Sequence, residues 1–352
     1  MENSFKFPAM DASELLKAEN ARLKTALHKA QVELSHSQQE ELTVARYKEL
    51  IGSWKDESVE QPSWTLRPSQ KSRHECIPVL LLGDVHFAEV VDPLQVNGAN
   101  QYSLPIARNR LRWFFETSIH LAKSHIGSKY PGITVAMLGD MFSGDIHEDL
   151  RATNEVSVPE ALLDLQGILA WGLTMLADQF KHVNVSCVVG NHGRLDFKPW
   201  SKDAVTRSWD WLLYQETASM LRSDKRITWN ISDAVETQFK VYSTVFNTTH
   251  GDCFKGGGGI QGALSPWMIG DYRKRKRAQA MNADYDYLVF GHWHKSAHFA
   301  GLIANGTVKG YDEYAFRKNF EFEPPQQWMF LVRPDGRVMN WIPIFLDPAA
   351  RG

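Results

Sequence analysis

The sequence predicts an α/β fold built on mixed sheets. Three observations predict it. Short apolar runs of strand length, residues 79–82, 135–138, 185–189 and 287–290, alternate with longer stretches of helical periodicity. These runs are nearly continuous in apolar residues, the pattern of parallel strands covered on both faces. Beyond residue 294 the chain turns to strand-like segments, the last two flanking the hairpin signal Pro334-Asp335-Gly336.

Length and composition set the frame. With 352 residues, the chain has room for one large domain and an appendage. Hydrophobic content of 43% and charged content of 23% are ordinary for a soluble globular protein. A formal net charge of −2 excludes a global electrostatic case for nucleic acid, so any basic surface is local. The three cysteines, Cys76, Cys187 and Cys253, fit no disulfide framework or zinc knuckle, and a reducing, cytoplasmic location is expected. No run approaches the roughly 20 apolar residues of a membrane span, the N-terminus has no signal-peptide core, and no membrane partner is expected.

Three segments follow in order: 1–51, 52–76 and 77–352. The first lacks Gly and Pro over residues 12–50 and is rich in helix formers. Leu16, Leu23 and Ala30 recur every seven residues, as do Asn20, Leu27 and Leu34. This predicts a coiled-coil-like helix with a core asparagine, and a homo-oligomer formed through it. Residues 52–76 read as a linker or arm, because Pro62 and Pro68 forbid a regular helix.

The third segment opens with the strand run 79–82, then a loop over 89–104 and a helix over 105–128 with Pro105 in its first turn. The next strand ends at Asp140, and the polar loop 143–153 carries Asp145 and His147, a pair read as solvent-facing. Helices are predicted over 159–181 and 204–222, the second carrying Trp209, Trp211, Leu212 and Tyr214 as core residues, and strands over 227–231 and 239–248. Gly256 to Gly259 form a run without the lysine and spacing of a nucleotide-binding P-loop. The run Arg273-Lys274-Arg275-Lys276-Arg277 lies on a predicted helix, and Arg273, Lys274 and Arg277 are candidate contacts for a polyanionic substrate. Strands are predicted over 298–308, 327–333 and 337–345.

The chemistry sits at strand ends. Gly83-Asp84-Val85-His86, Gly139-Asp140-Met141-Phe142, Gly190-Asn191-His192-Gly193, Thr249-His250-Gly251-Asp252 and Gly291-His292-Trp293-His294 each close an apolar run. In an open α/β sheet, ligands bind beyond the carboxyl ends of strands, so the five segments converge. Asp84, His86, Asp140, Asn191, His250, His292 and His294 are all metal-ligand types, too many for one tetrahedral ion and suited to two ions sharing a carboxylate. Two-metal sites of that kind cleave phosphate esters.

The ordered set D-x-H, GD, GNH, H and GHxH resembles the calcineurin-like metallophosphoesterase superfamily, over residues 77–299. The resemblance implies a four-layer α-β-β-α sandwich of two mixed sheets. It implies Asp84, His86 and His294 on one metal, Asn191, His250 and His292 on the other, and Asp140 between them. His192 becomes the catalytic histidine at the phosphate or leaving group. The family's acid after that histidine is replaced by Gly193, and Asp196 in the same loop is the expected substitute. Mixed N and O ligands leave the metals open among manganese, the first expectation, and iron, zinc or nickel. The Gly139–Phe142 block is similar to the DNA-repair exonuclease branch, and Gly139 to Asp145 lack the arginine of the protein-phosphatase branch. A DNA nuclease is therefore expected, with nucleic acid as partner. A phosphomonoesterase, a cyclic-nucleotide or small-molecule phosphodiesterase, and a coiled-coil adaptor with a vestigial site are the alternatives.

Overall fold

Three of the apolar runs become neighbouring parallel strands of one mixed sheet, and the fourth lies at the centre of a second. The computed structural model describes residues 61–67, 75–126, 130–255, 262 and 264–347. The expected N-terminal helix and its heptads, and the glycine run 256–259, lie outside the described residues. Strands β1 (Ile77–Leu82), β2 (Ile133–Met137), β3 (Val183–Cys187) and β4 (Ile227–Ile231) pair in parallel, with Val79 opposite Thr134 and Val185 opposite Trp229. The second sheet draws on β5 (Glu236–Val241), β6 (Thr244–Thr249), β7 (Tyr287–Phe290), β8 (Ala297–Phe299) and β9 (Leu302–Ala304). β10 (Gln326–Val332) and β11 (Val338–Phe345) return antiparallel and complete the first sheet, whose order is β11-β10-β1-β2-β3-β4 among the described residues. In the second sheet the order is β5-β6-β7-β9-β8, with β6, β7 and β9 parallel and antiparallel strands at both edges.

The two sheets pack face to face. Ile77, Val79, Leu81, Ala136 and Phe330 of the first meet Phe239, Val241, Phe246, Val289 and Ile303 of the second in one buried cluster. The alternation in β1 explains this: residues 77, 79 and 81 face the partner sheet, while Leu80 and Leu82, equally buried, face the other side. Short α1 (Ser63–Leu66) contacts β5. Helices α2 (Leu104–His120), α4 (Val158–Phe180) and α5 (Trp209–Met220) pack on one another and on the first sheet, and α3 (Glu148–Thr153) is a short exposed turn before α4. α6 (Leu264–Ala280) covers the second sheet by inserting Trp267 against Leu288, Phe290 and Leu302. α7 (Glu313–Arg317) lies between β9 and β10 in the chain. Helices, sheet, sheet and helix make the four layers expected.

Several boundaries differ from the sequence reading, each for a local reason. The predicted strand 239–248 is a hairpin, because Tyr242 takes a left-handed φ of 54° and reverses the chain. The predicted strand 298–308 splits into β8 and β9 around Ala300 and Gly301, at φ of 46° and 82°. The helix predicted from 204 starts at Trp209, where the Ser208 hydroxyl accepts from the Asp210 amide. α2 ends at His120 and continues as a π turn, Leu121–Ile126. α4 does have the length and apolar composition of a membrane-crossing helix. Most of its apolar positions are used inside the fold, down to Gly172, where an added Cβ would come within 2.3 Å of the Phe115 ring.

Candidate metal centre

All seven expected ligands, and His192, stand in the segments that leave β1, β2, β3, β6 and β7. The first two exits are laced together: the Asp84 amide donates to the Gly139 carbonyl at 3.0 Å, and the Val85 and His86 amides donate to the Asp140 carbonyl at 2.9 and 3.0 Å. The second sheet is tied in by His250, whose Nδ1 donates to the Leu138 carbonyl at 2.8 Å. Asp84 accepts from the His292 amide on both oxygens, at 2.9 and 3.0 Å. Tight packing at these exits requires glycine. Gly139 has a φ of 86°, and a Cβ there would lie 2.2 Å from the Gly190 nitrogen.

Five of the seven ligands hold left-handed backbone. Asp84, His86 and Asp140 have φ of 49°, His294 51° and His292 68°. Non-glycine residues held in the left-handed region cluster at functional sites, where surrounding structure enforces them.

The side chains form overlapping clusters, Asp84–His86–His294, His86–Asp140–His192 and Asp140–His250–His292, with ligand atoms in each within 4.8 Å of one another. Nε2 of His86 and Nε2 of His294 face each other at 2.9 Å, and His294 Nε2 is 3.4 Å from Asp84 Oδ1. His250 Nε2 lies 3.0 Å from Asp140 Oδ2 and 3.1 Å from Asn191 Oδ1. The His250 and His292 rings meet at 5.1 Å. Asp140 thus belongs to the groups on both sides, the place of a bridging carboxylate. Imidazole nitrogens and carboxylate oxygens that converge in a largely buried site are the donor set of a divalent cation.

The electrostatics agree. Burial alone would raise Asp140, but the charges of His250 and His192 and the His250 hydrogen bond outweigh it and hold the carboxyl well below its usual range. Burial lowers His250, and Asp140 more than reverses this, so its pKa stands well above the ordinary histidine value. Burial, then Lys309, lowers His86 strongly, and burial, then His250, lowers His292 to about 4. Both are therefore neutral at physiological pH, the form that coordinates metal.

His192 is placed differently from the ligands. Its amide donates to Asp140 Oδ1 at 2.7 Å, and its Nδ1 donates to the Ser143 carbonyl at 2.9 Å, which leaves Nε2 for the reaction. The expected helper, Asp196, is a correction: both its oxygens accept from Arg207, at 2.7 Å each, so it is committed to that guanidinium. His147, read as solvent-facing, has its ring 5.4 Å from that of His192, at the rim of the centre.

The basic run needs a second correction. Lys274 is buried and pairs with Glu236 at 2.6 Å, and Arg277 pairs with the same carboxylate. Consecutive residues point all round a helix, so Lys274 necessarily faces the fold. Of the three candidate contacts, Arg273 is exposed and Arg277 half-exposed.

Sequence reasoning missed a buried trio behind His86. Lys309 Nζ pairs with Glu89 at 2.8 Å and Asp312 at 2.5 Å, and Glu89 Oε2 stands 3.4 Å from His86 Nδ1. These residues come from aperiodic loops, and their only signal is a charge in an otherwise closed stretch. A carboxylate beside the ring nitrogen that faces away from the metal is the kind of group that orients a ligating histidine.

No protein-family model matches the chain, and no curated protein matches it in sequence. Solved structures align over much of its length. A conserved predicted phosphoesterase from Streptococcus pneumoniae is 10% identical, covering 76% of this chain and 95% of that one, with a TM-score of 0.28. Vacuolar protein sorting 29 from Cryptosporidium parvum is 14% identical over 76% and 96%, TM-score 0.32. A dimetal phosphatase from Danio rerio is 14% identical over 77% and 99%, TM-score 0.34. Superpositions this loose assign no chemistry, which rests on the side chains described above. By its own geometry the chain has the two-sheet sandwich expected from the sequence, with the ordered ligand segments at the strand ends of both sheets.

Proposed function

We propose that this protein is a dinuclear-metal phosphoesterase and that its substrate is DNA. One observation carries the first part: Asp140 clusters with His86 on one side and with His250 and His292 on the other, and His192 is held against it. Asp84, His86 and His294 would hold one divalent ion, Asn191, His250 and His292 the other, and Asp140 both, with manganese the first choice. Bound ions supply Lewis-acid activation of water and neutralise charge on the phosphoryl oxygens. The protein supplies the rest. The Ser143 carbonyl keeps a proton on His192 Nδ1 and fixes the ring, so that Nε2 is the atom that would meet the phosphate or the leaving oxygen.

Support for a nucleic-acid substrate comes from the rim. Phe197 and Trp200, 57% and 55% exposed, lie on the loop after His192. Tyr314, Phe320 and Phe322 are exposed on the segment that Lys295, next to His294, grips through Glu321. Exposed rings on loops that follow the ligand segments in the chain would serve as platforms on which bases stack. Arg273 adds positive charge on α6. The test is cleavage of single- and double-stranded DNA with Mn2+, with Asp140→Asn as control. Loss in the control, together with a preference for DNA over p-nitrophenyl phosphate, is expected. Turnover of the aryl phosphate alone would remove DNA and keep the phosphoesterase.

A further inference from the structure

We propose that Asp210 is the positioning residue of this centre: its carboxylate enters from α5 and clamps the two turns that carry Asp140 and Asn191. The proposal rests on reading the site as a metal centre. Asp210 is fully buried. Its Oδ2 accepts from the Asp140 amide at 2.9 Å and the Gly190 amide at 2.8 Å, and its Oδ1 accepts from the Met141 amide at 3.1 Å. Those amides lie just past the ends of β2 and β3, where the parallel ladder no longer provides acceptors, and a buried N–H left unpaired is costly. One carboxylate therefore satisfies both strand exits and fixes their spacing. The Asp140 side chain extends the chain of contacts to the His192 amide at 2.7 Å.

Gly193 is the other half of the arrangement. The Trp209 amide donates to the Gly193 carbonyl at 2.7 Å, which brings the start of α5 against the loop. A Cβ on Gly193 would stand 2.8 Å from Asp210 Cγ and Oδ1 and 3.0 Å from Ser208 Oγ. The space beside His192 is thus taken by a carboxyl group delivered from elsewhere in the chain. A glutamate at 193 carries its carboxyl carbon about 2.5 Å from Cβ, two bonds away, so it could occupy the same volume if Asp210 were absent. The two positions are alternatives for one job.

The experiment uses the full chain and Mn2+ titration calorimetry, with thermal unfolding and steady-state kinetics beside it. Asp210→Asn keeps the shape but turns an amide N–H toward a backbone N–H. It is expected to weaken Mn2+ binding by at least about tenfold and to lower kcat with KM little changed. Gly193→Glu alone is expected to lose binding, because two carboxyls compete for one space. Gly193→Glu combined with Asp210→Gly is expected to recover Mn2+ affinity to within about threefold of wild type, by the same second-shell logic. Unchanged Mn2+ affinity in Asp210→Asn, or a double variant no better than Asp210→Gly, overturns the proposal. If Asp210→Gly fails to fold, folding of the double variant is the readout, and its failure overturns the proposal equally. Wild-type protein that binds no Mn2+ would instead defeat the metal reading.

Discussion

His250 Nε2 and Asp140 Oδ2 meet at 3.0 Å, both sealed from solvent, and through this contact the ligand set of one sheet joins that of the other. Burial opposes charge on His250, yet Asp140 holds its pKa well above the ordinary value, so the metal-free pair carries a proton there at neutral pH. A cation taken at Nε2 must displace that proton. The expected outcome is release of about one proton per chain on Mn2+ binding near pH 7, and affinity that rises with pH. Calorimetry in buffers of different ionisation enthalpy measures it, and binding with no proton released contradicts the pairing.

His192 touches the cluster without being counted among the seven ligands. His192→Gln is expected to lower kcat by roughly 10²–10⁴-fold, the usual worth of a general acid, while metal content stays at the wild-type level. Metal analysis beside single-turnover kinetics separates the roles, since a fall in bound metal would make it a ligand.

Asp312 is pressed upward by burial, but Lys309 outweighs this and holds it at about 2, below the ordinary aspartate range. A depressed folded pKa means the carboxylate's contribution to stability is full above about pH 4 and is lost as the pH falls toward 2. Asp312→Asn is expected to cost about 2 kcal/mol at pH 7, and the gap to wild type should close at low pH. Denaturant unfolding at several pH values reads this, and a gap independent of pH would exclude the Lys309 pair as its origin.

The basic run predicts opposite phenotypes for neighbours. Lys274→Met removes a buried partner of Glu236 and is expected to cost roughly 1–2 kcal/mol of stability with little effect on DNA affinity. Arg273→Gln is expected to leave stability alone, weaken DNA binding and reduce its salt slope by about one. Identical behaviour of the two variants would contradict the orientation of α6.

The ligand residues were legible because each closes an apolar run, so strand geometry and chemistry could be read together. The four layers were legible only through the family resemblance, since periodicity alone yields no more than an α/β fold with mixed sheets. What escaped depends on distance in the chain. Tyr242 and Ala300 reverse the chain with no glycine at their own positions to announce it. Asp196 lies near His192 in sequence, but Arg207, eleven residues on, claims it. Asp210 sits between Trp209 and Trp211 and reads as an isolated charge in a core helix, since nothing local reveals the three amides it meets. Lys274 could be oriented only once the covered face of its helix was known.

Five of the seven ligands occupy left-handed backbone. Asn, Asp and His are the side-chain-bearing residues that tolerate that conformation best, and they are also the ones that coordinate divalent ions. Conformation and coordination therefore draw on the same short alphabet. An aspartate that drifts to asparagine here keeps the turn while giving up the charge. One nucleotide change per aspartate is enough for that exchange, so the backbone of these turns can outlast their capacity to hold a cation.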